Sequence, residues 1–135
     1  MERTSILTVL LLADAQDYPL LTLVNGLPDV TSMTTYFQAV PMVLEKADFK
    51  ERTEDTPQGQ VLRVNVRANI HRDSDYYQLF VHKKVIAYVE TANEERYLWG
   101  SDEYPMNFTY ERDSGAGNAD DRYTTLSMDL VQPIL

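Results

Sequence analysis

The residues whose types could support catalysis lie in one short segment, His71-Arg72-Asp73, followed by Asp75. His-Arg-Asp is the order of the catalytic loop of protein kinases, in which the aspartate is the base. The chain has no glycine-rich loop, no Asp-Phe-Gly and no asparagine at the required distance after the aspartate. An enzyme that uses His71 with Asp73 or Asp75 stays a third hypothesis, and we predict a protein without enzymatic activity.

Metal ligands are the second chemistry that the sequence suggests. His71 and His82 are eleven residues apart, and the sequence specifies no third ligand beside them. The acidic segment Asp113–Asp121 has oxygen ligands for calcium but lacks the spacing of an EF-hand loop. The absence of cysteine excludes disulfides, cysteine zinc sites and thiol nucleophiles. We therefore predict no metal and no cofactor.

The charge of the chain argues against general affinity for nucleic acid. Among 135 residues, 12 lysines and arginines stand against 21 acids, a net charge of −9. Binding to DNA or to an anionic membrane by counterion release requires clustered lysine and arginine. Residues 90–135 carry ten acids and three bases, so the negative charge is concentrated in the last third of the chain.

Alternation of apolar and polar residues indicates a β protein. Residues 61–71 alternate strictly, and residues 106–111 and 124–130 repeat the pattern, which is typical of antiparallel strands with one solvated face. Residues 84–90 are apolar at both parities, as in a strand covered on both faces. The predicted fold is a mainly β, antiparallel β-sandwich that forms a single domain over residues 1–135.

Turn and cap residues predict where individual strands and one helix begin and end. A long hairpin is expected over about 36–71, with the polar loop 53–60 at its tip. Capping acids and lysines at the two ends predict one short α-helix over about 74–82. Asn93-Glu94 predicts a turn into a strand that Gly100 ends.

The apolar run 6–13 allows two interpretations. Ala13-Asp14-Ala15 copies the spacing of a signal-peptidase site. Eight apolar residues is short for a secretion signal, and the single positive charge of Arg3 is offset by Glu2. We therefore predict a buried first strand.

The C-terminal half has a recognisable order of segments. A strand over Val85–Glu90 and a turn are followed by Gly100–Glu111, a Ser-Gly loop and a threonine-rich last strand. This order, and above all the Gly-Ser-x-x-Tyr-Pro-x-x-Phe segment over Gly100–Phe108, resembles small structural proteins of tailed phages and prophages of Bacteroides-like bacteria. The segment Tyr36–Pro41, which leads into the long hairpin, agrees more loosely.

The resemblance implies a virion component of the head–tail joint or the tail, such as a neck or connector ring or a tail terminator. Such a protein forms a homo-oligomeric ring with other neck and tail proteins around a channel, does not contact a membrane, and joins the virion after synthesis in the host cytoplasm. DNA passes through the ring without sequence-specific binding. The residues expected at subunit contacts are Phe37, Phe49, Arg63, Arg67, Tyr97, Trp99, Tyr104 and Pro105, and the acids expected to face the channel are Asp113, Asp120 and Asp121.

A carbohydrate-binding β-sandwich is the alternative hypothesis. Nine tyrosines, four phenylalanines and one tryptophan make aromatic residues abundant. Exposed aromatic rings on a β face could stack on sugars, and Trp99 with Tyr97 would form that platform. Alternating aromatics also fill β cores and subunit interfaces, which is their more common use.

Overall fold

Strands make up most of the chain in the computed structural model, which describes residues 2–112 and 123–134. The strands are β1 (Glu2–Asp14), β2 (Leu23–Val24), β3 (Leu27–Pro28), β4 (Gln38–Ala39), β5 (Met42–Thr56), β6 (Gly59–His71), β7 (Lys84–Thr91), β8 (Arg96–Trp99), β9 (Met106–Arg112) and β10 (Tyr123–Pro133). The helices are α1 (Val30–Tyr36) and two short 3₁₀ helices, Ala15–Leu20 and Tyr76–Leu79. The predicted mainly β, antiparallel fold is confirmed.

One antiparallel sheet folds over to enclose its own core. Its order is β4-β1-β5-β6-β10-β9-β7-β8, and β1 pairs in addition with β7, which closes the ring of strands. Residues 2–6 of β1 pair with β5, residues 7–14 pair with β7, and the register shifts between Leu7 and Val9. Strands that change partner at a bulge form the corners of sandwich-like folds. β1 is such a corner, while β9 lies between β10 and β7 and pairs with both at Asn107.

The long hairpin is formed by β5 and β6, and its tip is shorter than the sequence suggests. Strand pairing continues to Thr56 opposite Gly59, so Pro57 and Gln58 alone make the turn. Thr56 Oγ1 donates a hydrogen bond to the carbonyl of Gly59 at 2.6 Å. The predicted loop 53–60 is therefore mostly strand. The hairpin begins at Met42, because α1 and β4 occupy the residues before it.

The predicted α-helix over 74–82 is wrong, because only the 3₁₀ helix Tyr76–Leu79 forms there. Asp75 makes no capping hydrogen bond with its side chain. His82 adopts a positive φ of 65°, which ends the helical path just before β7. Tyr76 and Phe80 are both buried in the core, so this single turn serves to insert two aromatic rings.

The α-helix lies at Val30–Tyr36, where the sequence analysis predicts none. Asp29 Oδ1 caps it by accepting a hydrogen bond from the Ser32 backbone N–H at 2.8 Å. Four of its seven residues are threonine or serine, and a fifth is valine. Such residues have modest helix propensity, so the composition of this segment does not predict a helix. The capping residue Asp29 is the sequence feature that indicates one.

β7 is covered on both faces, as its doubly apolar sequence predicts. Val85 and Val89 face the main core between the two layers, together with Phe49. Ile86 and Tyr88 face the other way and pack in a second cluster against Ala13, Ala15 and Phe37. The segment 15–37 therefore forms an outer cover over β1, β7 and β8.

Tyr76 links the 3₁₀ helix to β4, because its hydroxyl donates a hydrogen bond of 2.7 Å to the carbonyl of Gln38. Burial raises the pKa of Tyr76 well above its ordinary value. We expect Tyr76→Phe to lower the free energy of unfolding by about 1 kcal/mol at neutral pH.

The same substitution changes the response to alkaline pH. Above about pH 10 the tyrosine ionises in the unfolded chain while the folded chain keeps its proton. The unfolded state then binds fewer protons, so the wild type loses stability as pH rises, and Tyr76→Phe should lose less over the same interval. Urea denaturation at neutral and alkaline pH measures both slopes, and equal losses in the two proteins would refute the assignment.

Candidate assembly surfaces

Three of the aromatic residues expected at subunit contacts lie in the core instead. Phe49 is fully buried, Trp99 is 7% exposed and Phe37 is 6% exposed. The ring of Phe49 meets the edge of Trp99 with centroids 4.7 Å apart, and Tyr97 stacks on Trp99 at 5.0 Å with an interplanar angle of 6°. Phe49 and Trp99 pack in the main core and Phe37 in the second cluster, so none of the three presents a contact surface.

This burial also corrects the expectation of an exposed aromatic platform. A sugar must reach the face of a ring to stack on it, and Trp99 is 7% exposed with the Tyr97 ring stacked on it. The hydroxyl of Tyr97 donates a hydrogen bond of 2.6 Å to Glu95. Trp99 therefore belongs to the core, and Tyr97 is half-buried beside it, so the expected exposure of Trp99 is wrong.

Tyr104 and Pro105 lie in the loop that joins β8 to β9, which stays on the surface. Tyr104 is exposed and Pro105 is half-buried. Ser101 ties the loop into a turn, since its N–H donates to the carbonyl of Tyr104 at 3.1 Å and its hydroxyl accepts from the Tyr104 N–H at 3.0 Å. Asp102 and Glu103 are exposed within the same turn. The loop thus presents an aromatic ring and two acids in a fixed conformation.

Arg63 and Arg67 lie on the outer face of β6, as its alternation predicts. Arg63 is directly opposite Arg52 of β5, and Glu54 forms an ion pair with each, at 3.9 Å from Arg52. A groove of about 390 Å³ runs across β5, β6 and β10 at this point. We call it the cationic groove, and the residues that line it are Lys50, Arg52, Arg63, Val64, Asn65, Asp129, Leu130 and Val131.

A row of polar side chains crosses the sheet beside this pair of arginines. In register from β5 to β7 it consists of Lys50, Asn65, Asp129, Asn107 and Lys84. The Asn65 amide donates to Asp129, and the Lys84 ammonium donates to Asn107. Asp129 is thus already engaged by the row, so Glu54 is the acid that contacts the two arginines.

An exposed apolar surface on the outer cover was not predicted from the sequence. β2 and β3 form a two-residue hairpin through Asn25 and Gly26, whose φ angles are 54° and 80°. Large apolar side chains project from this hairpin and its flanks. We call this set the apolar patch, and its members are Leu20 (60% exposed), Leu23 (36%), Val24 (58%) and Val30 (74%).

Hydrogen bonds hold the apolar patch in a defined shape. The Thr22 N–H donates to the buried Ser32 hydroxyl at 2.8 Å, and the Asp29 N–H donates to the Thr22 carbonyl at 2.9 Å. These bonds join the hairpin to α1. The exposed side chains therefore project from an ordered base, and their exposure is a property of the fold.

The residues considered for catalysis lie at the end of β6 and in the turn that follows it. His71 and Asp73 are exposed, and the His71 carbonyl is used in a turn by accepting from the Ser74 N–H at 2.9 Å. The buried Nε of Arg72 has no hydrogen-bond partner within residues 2–112 and 123–134. Within the same ranges no group of three or more metal-ligating side chains comes together. The predicted channel acids Asp113, Asp120 and Asp121 lie outside the described residues.

Comparisons with known proteins give no relative for this chain. No family model, no curated protein and no solved structure matches it. No helix in the described part of the chain is long and apolar enough to cross a bilayer.

Proposed function

We propose that this chain is a non-enzymatic structural protein of a tailed-phage virion, at the head–tail joint or in the tail, where copies assemble into a ring around the DNA channel. The resemblance of Gly100–Phe108 and the flanking strands to phage structural proteins supports the virion part of the proposal. The apolar patch supports the assembly part, and it is the observation on which the proposal chiefly depends.

The exposed area of the apolar patch determines how much free energy its burial can contribute to association. Full burial of one valine or leucine side chain contributes about 1.5–3 kcal/mol, so covering the exposed parts of these four contributes about 5 kcal/mol. The loss of rotational and translational freedom on association costs about 4–15 kcal/mol. The patch therefore favours association without ensuring it, and further contacts between copies are needed.

Open strand edges can supply those contacts. β4 and β8 stand at the two ends of the strand order, so each has one edge without a strand partner in residues 2–112 and 123–134. Such edges present backbone N–H and C=O groups to another chain. An edge of one copy that pairs with a different surface of the next makes a head-to-tail contact, which closes into a ring when the rotation fits.

The acidic balance of the chain suits a conduit for DNA. A wall that contacted many phosphates would retain the nucleic acid, and a net charge of −9 disfavours such contacts. In the proposed ring the DNA passes without sequence-specific binding, and Asp113, Asp120 and Asp121 remain the acids proposed to face the channel. The proposed location is the virion, after assembly in the host cytoplasm.

Size-exclusion chromatography with light scattering and negative-stain imaging tests the assembly. We expect the wild type to form closed rings and Val24→Asp with Val30→Asp to be monomeric, because the two acids make burial of the patch costly. Leu79→Asp is the matched control, since Leu79 is an exposed leucine (47%) outside the patch. A wild type that stays monomeric, or rings that survive the double substitution, would contradict the proposal.

Mass spectrometry of purified phage or induced prophage particles tests the virion assignment separately. We expect peptides of this chain at a fixed ratio to the tail proteins in intact particles. A chain found in the infected cell but missing from the particles would overturn the assignment, whatever its oligomeric state.

A further inference from the structure

The two arginines of the cationic groove lie side by side and share the carboxylate of Glu54. Arg52 and Arg63 are direct cross-strand neighbours, and like charges in that position destabilise a sheet. Among the described residues, Glu54 forms an ion pair with each arginine, close to Arg63 but 3.9 Å from Arg52. The arginine side chains are 59% and 41% exposed, so other anions have access to them. Lys50 adds a third cation to the lining of the same groove.

The contact with Glu54 indicates which kind of anion the cationic groove can bind. Glu54 shows that a carboxylate can lie between these two guanidinium groups, and arginine matches carboxylate geometry well. Phosphate would satisfy the same donors. A nucleic acid, however, would also meet the field of a chain with a net charge of −9. An acidic protein surface that carries only a few carboxylates fits this charge balance better.

A second copy of the chain carries such a surface. Asp102 and Glu103 are exposed in the turn between β8 and β9, which the Ser101 and Tyr104 hydrogen bonds hold in shape. The cationic groove lies on β5, β6 and β10. Because the donor and the acceptor are different surfaces, a contact between them is head-to-tail, as a ring requires.

We propose that the cationic groove of one copy binds the Asp102 and Glu103 carboxylates of the next copy. This inference depends on the proposed function and adds the residues that set the orientation between neighbours. In the contact, Arg52 and Lys50 receive the incoming carboxylates while Glu54 keeps its ion pair with Arg63. Tyr104 lies beside the two acids and enters the interface with them.

A charge swap tests this contact. We expect Lys50→Glu with Arg52→Glu to weaken association at least tenfold, and Asp102→Lys with Glu103→Lys to do the same. Combining all four substitutions should restore association, because the attraction is reversed on both sides. Arg96→Glu is the control, as an exposed arginine outside both the groove lining and the pocket that Asp102 lines. Sedimentation equilibrium gives the association constants, and circular dichroism verifies that each variant is folded.

The outcomes separate the two proposals. Failure of the fourfold variant to recover, or association of the double variants at the wild-type level, overturns the groove contact while leaving ring assembly in place. A wild type that never associates overturns both. Titration of the monomeric patch variant with a short oligonucleotide and with a tetraglutamate peptide identifies the anion. Tighter binding of the oligonucleotide at Arg52 and Arg63 would also overturn the contact, in favour of a phosphate ligand.

Discussion

Phe49→Ala is expected to lower the free energy of unfolding by about 3–5 kcal/mol, which is the usual cost of a large cavity in a core. Phe49 is fully buried and its ring packs edge-on against both Trp99 and Tyr97, at 4.7 and 5.6 Å. It joins β5 in one layer to β8 in the other. Since domains of this kind have about 5–15 kcal/mol of stability in total, the variant should be close to unfolding at ambient temperature.

The fluorescence of Trp99 can be used to follow this experiment. Trp99 is the only tryptophan and touches the deleted ring, so its fluorescence follows urea unfolding at the site itself. Tyr104→Ala is the matched control, because it removes an aromatic ring from an exposed position and should cost less than about 0.5 kcal/mol. Equal shifts of the urea midpoint in the two variants would show that the core does not depend on this cluster.

Gly100→Ala is expected to cost about 2–4 kcal/mol through two effects, backbone strain and crowding. Gly100 has a φ of 94°, which L residues rarely adopt. A Cβ there would lie 3.1 Å from Ile86 Cγ2 and 3.3 Å from the Val85 carbonyl oxygen. The strand must turn sharply at this point so that the next loop leaves the sheet.

Gly26→Ala separates the two effects. Gly26 also has a positive φ, of 80°, but a Cβ there would have no neighbour within 4 Å. It should therefore cost only the strain, about 1–2 kcal/mol. Thermal unfolding of the two variants compares them directly. A loss at Gly26 equal to that at Gly100 would exclude crowding against β7 as a cause.

β6, β9 and β10 could be predicted from sequence because one face of each is solvated. The alternation over residues 61–71 locates β6 and places Arg63 and Arg67 on its outer face correctly. The closure of the sheet could not be predicted, because it depends on β1 changing its partner between Leu7 and Val9. That change is a matter of pairing between distant segments, which leaves no periodic signal in either.

Aromatic burial was harder to predict than strand position. Tyr97 and Trp99 have the residue types of an exposed platform and of a core alike, and only the packing of Phe49 against them decides the matter. The apolar patch was missed for a different reason. β2 and β3 have two residues each, so neither is long enough to show a period. The distribution of charge along the sequence did not predict the cationic groove. Lys50 and Arg52 lie on β5 and Arg63 lies on β6, so these cations meet only when the two strands pair.

Hydrogen exchange at two protein concentrations tests most directly whether copies associate through the apolar patch. We expect backbone amides of residues 20–30 to exchange more slowly when the wild type is assembled than when it is diluted to monomer. Amides of residues 76–80, which lie outside the patch, should exchange equally in both. Assembly without added protection at residues 20–30 would contradict the account.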